Sequence, residues 1–230
     1  MRPSHFIALP LHTHPTLRTR VTTFQNALLN AASPIAGLDR SIVIDSRRLH
    51  MTLGVMALSD ADGQSKTIDD GLTLLRSLQP AIAEVLQGRT SVKVRLNTLD
   101  ALKQQQNYSN GSTDAHVLFL GPSDSRDDEG TRLHAVSNLV HQAFKTAGFI
   151  TETRPLKLHC TILNTSYRRP RSRLPFSYSD ILSSPAYESI HTDSGINFGV
   201  YDVQRVELWE MGSHGRNNEY RSCGGIDFLT

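Results

Sequence analysis

Residues 47–58 read RRLHMTLGVMAL, where a histidine and a threonine interrupt a run that otherwise has the composition of a buried strand. The chain repeats this arrangement in PLKLHCTILN, residues 155–164. Residues two apart in a strand point to the same face, and neighbours point to opposite faces. Each motif therefore predicts a strand with one apolar face and one polar face that carries an imidazole and a hydroxyl.

The predicted faces of the two motif strands match each other closely. In the first strand, the apolar face comprises Leu49, Met51, Leu53 and Val55, and the polar face Arg48, His50, Thr52 and Gly54. In the second strand, the apolar face comprises Leu158, Cys160 and Ile162, and the opposite face Lys157, His159, Thr161 and Leu163. Both polar faces thus carry an imidazole, a hydroxyl and a nearby cation.

A single His-x-Thr triplet is weak evidence, because roughly one is expected by chance in a chain with ten histidines. His14-Pro15-Thr16 is such a match, and its proline and the helix that starts there argue against a strand. A lone strand His-x-Thr is more often structural, with its imidazole bonded to a backbone carbonyl. Two such motifs in equivalent settings favour a functional pair.

Two imidazoles and two hydroxyls that converge on one point suit the hydrolysis or transfer of a phosphoester. Histidine titrates near neutrality, so one ring can take a proton while the other gives one to the leaving oxygen. The threonine hydroxyls can donate to the non-bridging phosphate oxygens. This chemistry requires neither a metal nor an organic cofactor, and the chain lacks the clustered carboxylates that hold magnesium.

A length of 230 residues with 38% hydrophobic residues is sufficient for one substantial core or for two small lobes that share a sheet. A net charge of +2 forces no large nucleic-acid footprint, although a local basic patch remains open. Two distant cysteines favour a reducing compartment. We found no signal peptide and no run of membrane-spanning length. We therefore expect a cytoplasmic or nuclear protein with no membrane contact.

Hydrophobic periodicity predicts an α+β chain in which strands and helices alternate in a coarse internal repeat. Strands are predicted at 5–11, 47–58, 91–99, 116–121 and 156–163, with a closing hairpin of 203–212 and 224–229. Helices are predicted from Thr16, over 67–87 with Pro80 as a kink or division, after the acidic turn 122–130, and near 178–187. Residues 103–114 are predicted to be a polar loop.

Several other side chains have competing interpretations. The basic stretch YRRPRSR, 167–173, is either a grip on RNA phosphates beside a stacking tyrosine or a solvated loop. His12 and His14 lack a third metal ligand nearby and are assigned to a turn. Trp209 is assigned to the core. Cys160 should point into the sheet and is not predicted to be a nucleophile.

The paired motifs, the opening strand HFIALPL and the terminal VELWEMGSHGRNNEYRSCGGIDF resemble the 2H phosphoesterase superfamily. More narrowly, they resemble the 2′,5′-RNA-ligase-like domain of A-kinase anchoring proteins, over nearly the whole chain. The resemblance implies a single bilobal domain, 1–230, with two antiparallel-sheet lobes and flanking helices around a central cleft. The chain stops just after the hairpin, so kinase anchoring is not implied.

The resemblance also implies the site and the chemistry. It assigns the catalytic roles to His50, Thr52, His159 and Thr161, with the first histidine as acid and the second as base. Members hydrolyse 2′,3′-cyclic phosphates or 2′,5′-linked oligonucleotides, or simply bind nucleotides. The substrate-binding candidates are Phe6, Arg48, Lys157, Tyr167 and Arg168.

We therefore expect a monomeric, metal-independent phosphodiesterase that acts on a nucleotide or RNA. The alternative is a nucleotide- or RNA-binding module that keeps the pocket with little catalysis. A third interpretation is a scaffold subunit that uses the basic 167–173 loop. The sequence does not distinguish a 2′,3′-cyclic phosphate from a 2′,5′-phosphodiester as the bond that is cleaved.

Overall fold

The computed structural model describes residues 2–59, 66–107, 111–123, 127–193 and 195–228. The helices are α1 Pro15–Leu29, α2 Ile68–Ser77, α3 Gln79–Leu86, α4 Asp128–Thr146, α5 Tyr178–Leu182 and α6 Pro185–Glu188. The strands are β1 His5–Pro10, β2 His50–Met56, β3 Val92–Arg95, β4 Thr98–Leu102, β5 Gln105–Asn107, β6 Ser112–Ala115, β7 Val117–Gly121, β8 Cys160–Asn164, β9 Phe176–Ser177, β10 His191–Thr192, β11 Gly195–Ile196, β12 Val200–Val203, β13 Arg205–Glu210 and β14 Ser222–Asp227. This mixture of helices and antiparallel sheets confirms the α+β class.

Two sheets carry the two motif strands. One has the order β14-β13-β1-β2 and the other the order β4-β7-β8, so each motif strand is the last strand of its sheet. The two outer strands come together: the His50 backbone lies beside the Cys160 side chain, and Val43, just ahead of β2, forms an isolated antiparallel bridge with Leu163 of β8. Nearby, the Ile44 N–H donates to the Ile162 carbonyl at 3.0 Å. The two motifs, distant in sequence, are therefore neighbours in the fold.

The helices follow the predicted patterns. The α1 stripe of Leu17, Val21, Phe24 and Leu28 is buried in the core. The predicted helix over 67–87 is divided as expected: α2 ends at Ser77 and Pro80 lies in the first turn of α3, where its missing N–H costs no hydrogen bond. A reciprocal Thr67–Asp70 capping box starts α2.

Some predicted boundaries were wrong. The strand predicted over 91–99 is two strands, β3 and β4, which pair in different sheets. The predicted polar loop 103–114 instead contains β5 and part of β6. These strands are polar because β5 is largely exposed and most of β6 is only half-buried. The second motif strand begins at Cys160, so His159 lies just before its ladder. The stretches 60–65, 108–110 and 124–126 of the predicted loops lie outside the described residues.

A one-residue bulge follows the threonine of each motif. In β2, Thr52 pairs with Ala8 and Gly54 with Ile7, which leaves Leu53 as the extra residue. In β8, Thr161 pairs with Phe119 and Leu163 with Leu118, which leaves Ile162 as the extra residue. Each bulge reverses the alternation of faces beyond it. The predicted faces of three residues were wrong for this reason: Gly54 faces the core side chains of Ile7 and Ile150, Val55 packs beside Phe6, and Leu163 lies in the core.

Buried polar side chains bond the carbonyls of the two bulge residues. His141 on α4 donates from Nδ1 to the Leu53 carbonyl at 2.6 Å. Gln25 on α1 donates from Nε2 to the carbonyls of Ile162 and Ile44, each at 2.9 Å. An unbonded buried carbonyl would be costly, so these contacts account for two polar residues inside the core. They also hold the strand segments that present Thr52 and Thr161.

Candidate active site

The two motif histidines bond their own backbone in the same way. His50 Nδ1 lies 2.7 Å from the Arg48 carbonyl oxygen, and His159 Nδ1 lies 2.7 Å from the Lys157 carbonyl oxygen. A carbonyl only accepts, so Nδ1 carries the proton and donates in both rings. In each neutral ring Nε2 is therefore the basic nitrogen, which is the atom that can take or return a proton.

The threonines lie on the same faces as the histidines. Thr52 Oγ1 is 3.1 Å from His50 Nε2. Thr161 pairs with Phe119, whose ring contacts the His159 ring with centroids 5.4 Å apart. Directly paired antiparallel residues share a face, so Thr161 lies on the side of His159. We call His50, Thr52, His159 and Thr161 the two-histidine site.

Aromatic rings enclose His50. The Phe6, Trp209 and Tyr220 rings lie 4.9, 5.4 and 5.4 Å from its ring, centroid to centroid. Phe6, one of the predicted substrate-binding residues, is thus in contact with the His50 ring. Trp209 is buried as predicted, and its ring also forms one wall around His50.

His159 lies in a more polar setting. Lys157 Nζ is 4.7 Å from the Phe119 ring centroid and 3.3 Å from an Asp100 carboxylate oxygen. These three residues also line a cavity of about 430 Å³ that includes Leu158, next to His159. The volume of this cavity is sufficient for a small ligand, and its lining includes the Asp100 carboxylate and the Lys157 ammonium group.

Burial is the main cause of the altered pKa of both histidines. It lowers the pKa of His50 to about 4, assisted by the charges of His159 and Arg48. Burial also lowers the pKa of His159, with a smaller contribution from the Lys157 charge. Both rings are therefore neutral near pH 7 in the empty site. A bound phosphate anion would favour protonation of one of them, because an opposite charge stabilises the imidazolium.

The lowered pKa of His50 predicts a loss of stability at acid pH. The pKa of His50 in the folded protein is below the unfolded value of 6.5. The contribution of neutral His50 to the free energy of unfolding is therefore complete above pH 6.5 and is lost as the pH falls toward 4. We expect wild type to lose roughly 2 kcal/mol more than His50→Gln in this interval, a figure reduced for the exposed edge of the ring. Urea unfolding of both proteins from pH 7.5 to 4 measures it. A difference that does not change with pH would contradict the prediction.

The predicted substrate-binding residues have different surroundings. Arg48 is 6% exposed, lies 3.6 Å from the Tyr220 ring centroid and donates to the Ser213 and Asn218 carbonyls. It thus holds the turn that carries Tyr220 against His50. Lys157 lies beside the cavity described above, and Tyr167 is exposed, with its hydroxyl 3.4 Å from that of Tyr220.

The predicted role of Arg168 disagrees with its position. Its side chain is 7% exposed and pairs with Asp39, and it donates to the Gly37 and Leu174 carbonyls at 2.6 and 3.1 Å. A buried guanidinium whose two terminal nitrogens bond Asp39 and two carbonyls anchors a loop. The sequence could not reveal this, because Asp39 and Arg168 are far apart along the chain.

Sequence reasoning missed three residues beside the two-histidine site: Phe119, Asp100 and Tyr220. A signal for Phe119 was present, because it lies on the strand that pairs with its motif strand, as Phe6 does. Asp100 and Tyr220 come close only through the sheet register and the turn after β13, for which the sequence carried no signal.

Across the described residues, no group of three or more His, Cys, Asp or Glu side chains could hold a metal ion. In the same ranges, the helices are too short or too polar to span a bilayer.

The fold and the paired motifs define a protein of the 2H phosphoesterase class. The chain belongs to the family described as the AKAP7 2'5' RNA ligase-like domain, whose model matches residues 3–228. It is also similar to the mouse activating signal cointegrator 1 complex subunit 1, at 23% identity over 98% of this chain. The chain spans 63% of the length of that relative.

Solved structures with a similar fold include E. coli LigT in complex with 3'-AMP. That structure is 15% identical, with 99% of this chain and 98% of that chain covered and a TM-score of 0.49. The protein TT0787 of Thermus thermophilus is 15% identical, with 98% of this chain and 97% of that chain covered and a TM-score of 0.48.

Proposed function

We propose that the protein is a phosphodiesterase that cleaves a 2′,3′-cyclic phosphate or a 2′,5′-phosphodiester of a nucleotide or RNA. The matching geometry of the histidines supports this proposal: each donates Nδ1–H to the carbonyl two residues before it, which leaves Nε2 for the substrate. The neighbouring outer strands carry the two histidines, and the charge of His159 contributes to the lowered pKa of His50.

The mechanism uses one histidine as base and the other as acid. Nε2 of His159 takes a proton from the attacking water or ribose hydroxyl, whose oxygen forms the new bond to phosphorus. The bond from phosphorus to the leaving oxygen breaks, and His50, protonated at both ring nitrogens while the phosphate anion is bound, gives that oxygen the proton of its Nε2. This assignment of acid and base follows the family precedent. The Thr52 and Thr161 hydroxyls donate to the non-bridging oxygens, where negative charge concentrates.

The first test is an assay of the chelator-treated protein on two substrates, a nucleoside 2′,3′-cyclic phosphate and a 2′,5′-linked oligoadenylate. We expect turnover of one of them at a rate that excess chelator does not change, because the proton transfers use protein side chains. The assay measures initial rates by chromatography of the products.

The matched control is the His50→Ala/His159→Ala double variant, which should be inactive on both substrates. Turnover by wild type that chelator removes and metal restores would contradict the mechanism. Saturable nucleotide binding without turnover of either substrate would favour the binding module instead.

A further inference from the structure

A second, arginine-lined cavity of about 420 Å³ lies beside the turn that follows β8. Four arginines line it, Arg2, Arg168, Arg171 and Arg173, together with hydroxyl side chains such as that of Ser166. None of the described residues that line it is acidic. A concave surface with several guanidinium groups and hydroxyl donors has the composition of a phosphate-binding site.

The four arginines divide into one anchor and three groups that face solvent. The Arg168 guanidinium is occupied by Asp39 and two backbone carbonyls, which tie the loop 168–174 to residues 37–39. Arg2, Arg171 and Arg173 are exposed, and across the described ranges none of them pairs with a carboxylate. Their charge is therefore uncompensated and available to an external anion.

The chain connects this cavity directly to the second motif of the two-histidine site. Strand β8 runs from the motif directly into the turn Thr165–Tyr167, whose first two residues line the cavity. Four residues at a strand rise of about 3.3 Å separate Thr161 from Thr165 by about 13 Å. A stacked single strand advances about 3.4 Å per nucleotide, so this distance corresponds to about four nucleotides, and to fewer in an extended strand.

Tyr167 lies between the two places. It is 40% exposed, and its hydroxyl is close to that of Tyr220, whose ring contacts His50. An exposed aromatic ring beside a basic groove is a typical stacking platform for an unpaired base.

We infer that the arginine-lined cavity binds backbone phosphates of a single-stranded oligonucleotide whose reacting phosphate lies at the two-histidine site. The inference rests on the proposed function and restricts its substrate class: the preferred substrate carries further phosphates a few nucleotides from the reacting one. A polynucleotide fits better than an acidic protein, because its regularly spaced phosphates place one phosphate at the two-histidine site and others at the arginine-lined cavity.

The test is the Arg171→Gln/Arg173→Gln double variant. For a tetranucleotide that ends in a 2′,3′-cyclic phosphate, we expect kcat/KM to fall about 10- to 100-fold, with turnover of the nucleoside 2′,3′-cyclic phosphate within twofold of wild type. The slope of log kcat/KM against log salt concentration should become shallower by about 1.4, because each of two lost phosphate contacts on a single strand accounts for about 0.7. If the linkage cleaved is 2′,5′, a dinucleotide and a pentanucleotide replace these substrates.

The matched control is Arg76→Gln/Lys93→Gln, which removes two exposed charges on α2 and β3, away from the loop 168–174. Equal losses on the long and the short substrate, or equal losses in the control, would overturn the inference. So would an unchanged rate on the tetranucleotide.

A binding experiment separates this inference from the proposed function. The His50→Ala/His159→Ala variant, which cannot use the proposed chemistry, is titrated into a fluorescent tetranucleotide, with and without the two arginine changes. A 10-fold or larger weakening by the arginine changes supports the cavity even if wild type cleaves nothing. Equal affinity, or capture of an acidic peptide in preference to the oligonucleotide, contradicts it.

Discussion

His50→Ala and His159→Ala are each expected to lower kcat by about 10²–10⁴-fold, the usual contribution of one general acid or base. Each change removes an Nε2 that the structure orients through a bond from Nδ1 to the backbone. The double variant should be little worse than the more damaging single one, because acid and base act in one step. Single-turnover rates on the cleaved substrate measure both effects.

Two controls make this prediction sharp. His50→Gln and His159→Gln keep a polar side chain of similar size and should lose as much activity, with an unchanged circular dichroism spectrum. On a substrate with a strongly acidic leaving group, the variant that lacks the acid should recover most of its rate, and the variant that lacks the base should not. Full activity in either alanine variant would exclude that histidine from the mechanism.

Thr52→Val and Thr161→Val are expected to lower kcat by about 10²–10³-fold each, the usual cost of removing one donor to a developing oxyanion. Valine keeps the branched shape at the strand surface, so the loss reports the hydroxyl. KM should change much less than kcat if these donors act mainly in the transition state. Steady-state kinetics on the same substrate separate the two constants.

The matched controls are Thr52→Ser and Thr161→Ser, which keep the hydroxyl and should retain activity within about 10-fold. A loss in the serine variants as large as that in the valine variants would mean that the methyl group matters, and the donor role would then be wrong. An unchanged kcat in Thr161→Val would remove that residue from the site.

Most of the site could be predicted from the sequence, because alternation in a strand is a local property. His50 and Thr52 share a face, as do His159 and Thr161, since two-residue periodicity depends only on the backbone. The helix stripe of α1 and the division at Pro80 follow equally from local chemistry. The wrong predictions for Gly54, Val55 and Leu163 had one cause, a bulge after each motif threonine, which depends on how a partner strand pairs.

The sequence by itself thus established the α+β class, the two motifs and their polar faces, because hydrophobic periodicity is written in consecutive residues. Tertiary structure alone placed the two motif strands beside each other, surrounded His50 with Trp209 and Tyr220, and paired Arg168 with Asp39. These relations join segments up to 170 residues apart, as the bond between Arg48 and Asn218 illustrates. Such contacts form because the core and its buried hydrogen bonds must be satisfied together, and no local pattern in the chain records them.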